Sequence, residues 1–223
     1  MPIDRNKIKK AVIEARKNKK KGKFVHTIDL SINLKDIDLK QPKNRINAEL
    51  VLPHSPGKDR KICVCTTSGD FALRAKQEGL TVLDKDALTK FQKDKSAARK
   101  FCKKFDFFIA SVEAMPLIAK SLGPVLGPQG KMPLGPPKGA GIVPPTADIK
   151  PLKDRYNKTI RLRMRKSLQI NCPVGNENMS DDEIVDNIAA VINYLENNLE
   201  KGLRNIKSIY VKTTMGKPVK IEI

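Results

Sequence analysis

Four residues near the C-terminus, Thr213-Thr214-Met215-Gly216, place two hydroxyls, a thioether and a bare backbone between Lys212 and Lys217. Nothing in that set can act as a strong general base or cage a metal. Small groups that approach a ribose closely, with lysines beside them for phosphates, suit recognition of RNA shape through the 2′-OH. The same four residues also suit the tip of an ordinary exposed hairpin. Other candidates for chemistry are sparse. The cysteines are Cys63, Cys65, Cys102 and Cys172, and the histidines are His26 and His54. There is no C-x-x-C pair, and a zinc site would need more ligands, so buried reduced thiols are expected and no metal or cofactor. His26 falls at an apolar-face position of a predicted strand, where a core or edge role is expected. His54 follows a proline in a loop and has no nucleophile beside it. Asp70, Asp84 and Asp106 lie near predicted strand ends, but as scattered acids they form no catalytic set.

The charge balance points the same way. The chain has 223 residues, 44 Lys+Arg against 24 Asp+Glu, and a net charge of +20. That excess exceeds what solubility needs and calls for a polyanionic partner. A membrane surface is the rival, but no apolar run is long enough to span a bilayer, and no signal peptide is evident. Aromatic residues are only 4% and Trp is absent, which argues against a single-strand binder built on stacked bases. Backbone and shape contacts to folded RNA or a duplex remain.

The elements that must carry these residues follow from periodicity. SIYVKTTMGKPVKIEI reads as strands Ser208–Thr213 and Pro218–Ile223 joined at a Gly-containing turn. Residues 4–20 predict a helix with Ile8, Ala11, Val12 and Ala15 on one stripe. Its other faces are mostly Lys and Arg, which can be solvated or touch phosphates. Phe24–Leu34 alternates, with Phe24, His26, Ile28, Leu30, Ile32 and Leu34 on one face. Arg45–Leu52 predicts a second strand. In Thr159–Lys166, Ile160, Leu162 and Met164 alternate with Arg161, Arg163 and Arg165, either a solvent-facing edge or a line of phosphate contacts. Leu168–Cys172 is a strand that Pro173-Val174-Gly175 should end. Ser180 and Glu183 form a capping box for an acidic helix, expected to face away from RNA.

Between these outer segments the pattern changes. KICVCTT at Lys61–Thr67 and FDFFIAS at Phe105–Ser111 read as strands buried on both faces, alternating with helices. That is a parallel doubly wound layout. It invites a nucleotide-dependent or RNA-modifying enzyme as the alternative function. The phosphate loop is missing: the first strand-to-helix turn is Ser68-Gly69-Asp70, without G-x-G-x-x-G or G-K-[ST]. Leu122–Pro145 is rich in Gly and Pro but also in apolar residues. It predicts an ordered loop carrying Lys131 and Lys138, either a phosphate contact or a structural cap. The fold expected is an α+β outer domain, an antiparallel sheet covered by two helices and built from both chain ends. Into it is inserted an α/β Rossmann-like three-layer domain. The boundaries are 1–58 with 155–223, and 59–154. Net charge is +9 for 1–60, +7 for 61–154 and +4 for 155–223, so charge density does not single out a binding surface.

A set of motifs in fixed order resembles the ribosomal protein L-one family. These are Lys23-Phe24-x-x-Thr27, Leu52-Pro53-His54-x-x-Gly57-Lys58, Leu126-Gly127-Pro128-x-Gly130-x-Met132-Pro133, Pro173-Val174-Gly175 and Ser208–Gly216. Val25-His26 and the extended Gly135-Pro136-Pro137-Lys138 loop resemble the archaeal type. The resemblance implies a non-enzymatic, cytoplasmic component of the large ribosomal subunit. It implies binding to rRNA of the mobile stalk, contact with exit-site tRNA and help in its release, and repression of the protein's own mRNA through a mimic of the rRNA site. Off the ribosome a monomer is expected. By resemblance the RNA-binding positions are Lys23, Phe24, Thr27, Lys166, Ser208, Thr214, Met215 and Gly216. Phe24 and Met215 would pack on sugar faces, Thr27, Ser208 and Thr214 would bond 2′-hydroxyls and backbone oxygens, and Lys23 and Lys166 would neutralise phosphate. Val25-His26 departs from the acids of bacterial relatives.

Overall fold

Alternating and helical-period stretches become strands and helices in the computed structural model, which describes residues 4–19, 24–41, 44–57, 59–164 and 167–222. In chain order the elements are α1 (Arg5–Lys17), β1 (Thr27–Leu34), β2 (Asn47–Val51), β3 (Ile62–Cys65), α2 (Gly69–Gln77), β4 (Thr81–Leu83), α3 (Lys85–Lys93), α4 (Lys95–Lys103), β5 (Phe107–Ser111), α5 (Met115–Ser121), α6 (Gly123–Gln129), β6 (Ile142–Val143), α7 (Ile149–Asn157), β7 (Thr159–Arg163), β8 (Gln169–Asn176), α8 (Asp181–Asn198), β9 (Ile206–Thr213) and β10 (Val219–Ile221). The chain divides into two compact units, residues 1–58 with 158–223, and residues 59–157. Because α7 runs on through Asn157, the return crossing falls after that residue rather than before residue 155.

In the first unit an antiparallel sheet has the order β10-β9-β1-β8. Ile8, Val12 and Ala15 of α1 and Ile184, Ile188, Val191 and Leu195 of α8 share one core with Ile28, Leu30, Ile32, Ile209 and Val211. The expected single sheet is split, because β2 and β7 pair only with each other. Two local expectations also change. β8 does not end before Pro173 but runs through it to Asn176, with Pro173 opposite Asp29. It is an edge strand, where proline is tolerated with its nitrogen turned away from the partner, and a register shift between Ile28 and Asp29 lies beside it. The β1 ladder begins at Thr27, so Phe24 precedes it and is exposed despite falling on the predicted apolar face.

The basic helix and the acidic helix turn out to be partners. Arg5 pairs with Asp186, Lys9 with Asp182 at 2.7 Å, Arg16 with Asp181 at 3.0 Å, and Lys19 with Glu177 at 3.2 Å. Much of the predicted cationic face is therefore matched internally, while Lys7, Lys10 and Lys17 have no ion pair among the described residues. Lys19 donates to Glu177 and holds its carboxyl below the usual 4.5; backbone and hydroxyl bonds from Ser180 do the same for Glu183. The Asp182 bond raises Lys9 above 10.5. Depressed carboxyls contribute stability above their ordinary value and lose it as pH falls through the folded one. A raised lysine contributes below its ordinary value and loses it as pH rises through the folded one. The urea midpoint should therefore be flat at neutral pH and fall on the acid side, and Glu177→Gln should shallow that fall. An unchanged acid limb in Glu177→Gln would show that the ladder contributes nothing.

The second unit has an all-parallel sheet, order β4-β3-β5-β6. Every residue of β3 and β5 is buried, as the apolar runs predict. Ile62, Val64 and Ile109 pack with Phe71, Ala75 and Tyr156, while Cys63, Cys65 and Phe108 pack with Leu88, Cys102, Ile118 and Leu126. The helical stretch 85–104 is broken at Asp94, whose carboxylate caps α4 through Ser96 N at 2.9 Å and Ala97 N at 3.0 Å. The Gly/Pro-rich region is more regular than a loop. Pro124 sits in the first turn of α6, where no N–H is needed, and Gly130 at φ +70° closes that helix. β6 then adds the fourth parallel strand.

Candidate nucleic-acid interface

The tip between β9 and β10 is built around one threonine. Thr214 N donates to Thr27 O at 3.0 Å. The Thr214 hydroxyl accepts from Thr27 N at 3.0 Å and faces Thr27 O at 3.3 Å as a donor. Thr214 thus clasps the start of β1, and its hydroxyl is engaged before any ligand arrives. Next to it Gly216 leaves no room for a side chain: a Cβ there would lie 2.2 Å from Thr213 Oγ1 and 3.2 Å from Asn18 O. The bare backbone lets the tip close onto the end of α1. Between these two fixed residues Met215 stands 54% exposed, and Phe24, just ahead of the clasp, is 51% exposed. Two large apolar side chains are thereby offered to solvent beside the clasp.

Ser208 lies five residues back from Thr213 along β9, roughly 17 Å at ordinary strand rise. It is nearly buried and accepts from Asn33 Nδ2 at 3.0 Å. Between Ser208 and the tip runs the face of the sheet that the helices leave uncovered. It carries Asp29, Ser31 and Asn33 from β1, Gln169, Asn171 and Pro173 from β8, and Tyr210 and Lys212 from β9 around a shallow concavity of about 620 Å³. Gln169 Nε2 donates to Ser31 Oγ at 3.0 Å, so the amides form a cross-strand grid. Burial pushes the Asp29 carboxyl above its usual range, against the pull of Lys212. In a chain of +20 this face is neutral and rich in amides and hydroxyls. Such a surface can meet sugar hydroxyls and base edges, whereas lysines meet phosphates.

Thr27, Thr214, Met215 and Gly216 are thus brought to one end of the sheet, with Phe24 preceding them and Ser208 at the far end of the same open face. Lys23 and Lys166 lie outside the described residues, as does Arg165. The open-face residues Asn33, Gln169, Asn171 and Tyr210 were not singled out from sequence. Their signal was the polar register of the alternating strands, whose amide content, rather than charge, marked the surface.

Other candidates turn inward. Arg161 Nη2 binds Glu49 Oε1 at 2.9 Å across the β2–β7 pair, with both side chains largely buried, so that guanidinium serves the fold. Lys131 Nζ donates to Cys102 O at 3.0 Å and Phe105 O at 2.6 Å, which makes it a cap for the second unit. Asp84 caps α3 through Ala87 N, and Asp106 accepts from Lys61 N. The cysteines are buried. Burial raises Cys102 to about 11 and Cys172 to about 12, and a hydrogen bond with Cys65 together with burial keeps Cys63 protonated. Among the described residues no group of three or more His, Cys, Asp or Glu could hold a metal ion, and no helix is long and apolar enough to cross a membrane.

Comparison with known proteins decides the family. Residues 15–217 match the model of the Ribosomal protein L1p/L10e family. The chain belongs to that family. Large ribosomal subunit protein uL1 of Methanothermococcus thermolithotrophicus is 45% identical over 220 residues, covering 99% of this chain and 100% of the relative. The uL1 protein of Pyrococcus abyssi (strain GE5 / Orsay) is 44% identical over 223 residues, covering 100% and 98%. That of Archaeoglobus fulgidus is 40% identical over 222 residues, covering 99% and 100%. L1p/L10e is a family of structural ribosomal proteins, not of enzymes, and these relatives are archaeal.

Proposed function

We propose that this chain is a cytoplasmic component of the archaeal large ribosomal subunit that binds rRNA of the mobile stalk. The RNA site consists of Phe24, Thr27, Ser208, Thr214, Met215 and Gly216, extended by the amide face of the sheet and by Lys23 and Lys166. Phe24 and Met215 pack on sugar faces, and the hydroxyls and amides bond 2′-hydroxyls. The protein also contacts exit-site tRNA, assists its release, and represses its own mRNA through a mimic of the rRNA site. Off the ribosome it is a monomer. Residues 1–58 with 158–223 act as the RNA-binding domain, and 59–157 as an inserted domain.

One observation carries the reading: full-length similarity to proteins named for the large subunit, in a chain whose Thr214–Thr27 clasp fixes an exposed Met215. The test is binding to a stalk rRNA fragment and to a scrambled RNA across a salt series. Specific binding should exceed random binding by a margin that survives moderate salt. Equal affinities that fall together with salt would reduce the interaction to net charge. Lys17 offers a control within the same series. It makes none of the hydrogen bonds between Thr214 and Thr27 and has no ion pair among the described residues. Lys17→Ala should lower the salt slope by about one and leave the specific-to-random ratio unchanged.

A further inference from the structure

Phe24 precedes the first ladder residue of β1, so no strand pairing fixes its backbone. Its ring is nonetheless held. Two residues on, the His26 imidazole lies 4.5 Å from the Phe24 ring centre with the planes 23° apart. His26 is 2% exposed, and neither ring nitrogen has a hydrogen-bond partner among the described residues. Its backbone is anchored, because Glu177 N donates to His26 O at 3.0 Å while the Glu177 carboxylate pairs with Lys19.

We infer that His26 is a positioning residue for RNA binding, the floor that holds the exposed Phe24 ring flat for a ribose face. The inference rests on the reading of Phe24 as an RNA contact. A position that needed only core volume would be filled more cheaply by an aliphatic residue, because a buried imidazole whose nitrogens make no hydrogen bond among the described residues forfeits the hydrogen bonds it makes in water. What imidazole supplies and leucine does not is a thin flat π face. Two rings in near-parallel contact behave as one slab, whose outer side is the free face of Phe24. Fixing that ring before RNA arrives removes an ordering cost from the binding step. The partner is therefore the sugar edge of folded RNA, met by a prearranged ring rather than by a mobile one.

The experiment measures Kd for the stalk rRNA fragment in wild type, Phe24→Leu, His26→Leu, the double variant and His26→Phe, with urea unfolding of each. His26→Leu should raise Kd about tenfold while keeping or raising stability. His26→Phe, which restores a flat ring, should stay within about twofold of wild type. The double variant should bind no worse than Phe24→Leu alone, since both changes remove one slab. Wild-type affinity in His26→Leu would overturn the inference, as would additive losses in the double variant. If His26→Leu folds poorly, NMR of the wild type decides: Phe24 ring protons shifted upfield by the imidazole support the stack, and unshifted protons refute it. Unchanged affinity in Phe24→Leu would instead overturn the RNA role of Phe24 itself.

Discussion

The Thr214→Val/Met215→Ala double variant should lose most of its preference for the stalk rRNA fragment over scrambled RNA, while its affinity for scrambled RNA stays near wild type. Each good nucleic-acid contact contributes roughly 1–3 kcal/mol of discrimination, so the pair should cost about 2–6 kcal/mol if their effects add. The structure separates the two contributions. Met215 is exposed and makes its contribution only to a ligand. Thr214 acts twice, because its hydroxyl binds both the N–H and the carbonyl of Thr27. Valine keeps the shape and the backbone bond to Thr27 O but removes both hydroxyl contacts, so the tip should also be held less firmly against β1. Thr214→Ser keeps the hydroxyl and should retain most of the specificity. Hydrogen exchange at Thr27 N offers an independent readout, since that amide loses its acceptor only in the valine variant. Equal losses on specific and random RNA would show that the tip adds nothing beyond charge.

The part of this site legible in sequence was the part written in residue type. Thr214, Met215 and Gly216 stand out as uncharged residues between lysines in a lysine-rich chain. The buried strands β3 and β5 were equally plain, because an apolar run without alternation has few other places to go. What sequence did not yield depends on pairing. Arg161 looks the same whether it faces solvent or Glu49, and only the β2–β7 register decides. Lys131 sits in a Gly/Pro-rich segment that could have met phosphate, until α6 and β6 carry it back over the carbonyls of Cys102 and Phe105. Phe24 followed the apolar register perfectly yet is exposed, because the ladder that would have buried it starts at Thr27. The lysines and arginines of α1 read as a phosphate surface until the acids at Glu177, Asp181, Asp182 and Asp186 are placed opposite them. Local pattern reports which groups are present, and long-range contact reports which remain available.

The largest stability effect is expected at Asn187, a residue with no chemistry of its own. It is fully buried on α8. Its Oδ1 accepts from His54 N at 3.0 Å, and its Nδ2 donates to His54 O at 3.0 Å and to Val174 O at 2.8 Å. One side chain thus satisfies three backbone groups and ties Pro53-His54-Ser55 to both α8 and β8. Nearby, Asn176 Nδ2 donates to Gly57 O at 3.1 Å, and Gly57 at φ +75° has no room for a Cβ against that amide. The first crossing between the two units is therefore held by the first unit as far as Gly57. Asn187→Ala removes all three bonds at once and leaves buried donors and acceptors unmatched, a loss of about 3 kcal/mol or more. Asn187→Asp should recover only part of it, since a carboxylate can accept from His54 N but cannot donate to the two carbonyls. The measurement is urea unfolding of the intact chain, followed by a probe in each unit. The first unit should unfold at lower urea in Asn187→Ala, with RNA affinity retained where the protein remains folded, because Asn187 makes none of the bonds between Thr214 and Thr27 that fix the tip. A midpoint within about 0.5 kcal/mol of wild type would mean that other groups or water satisfy the crossing, and that Asn187 does not anchor it.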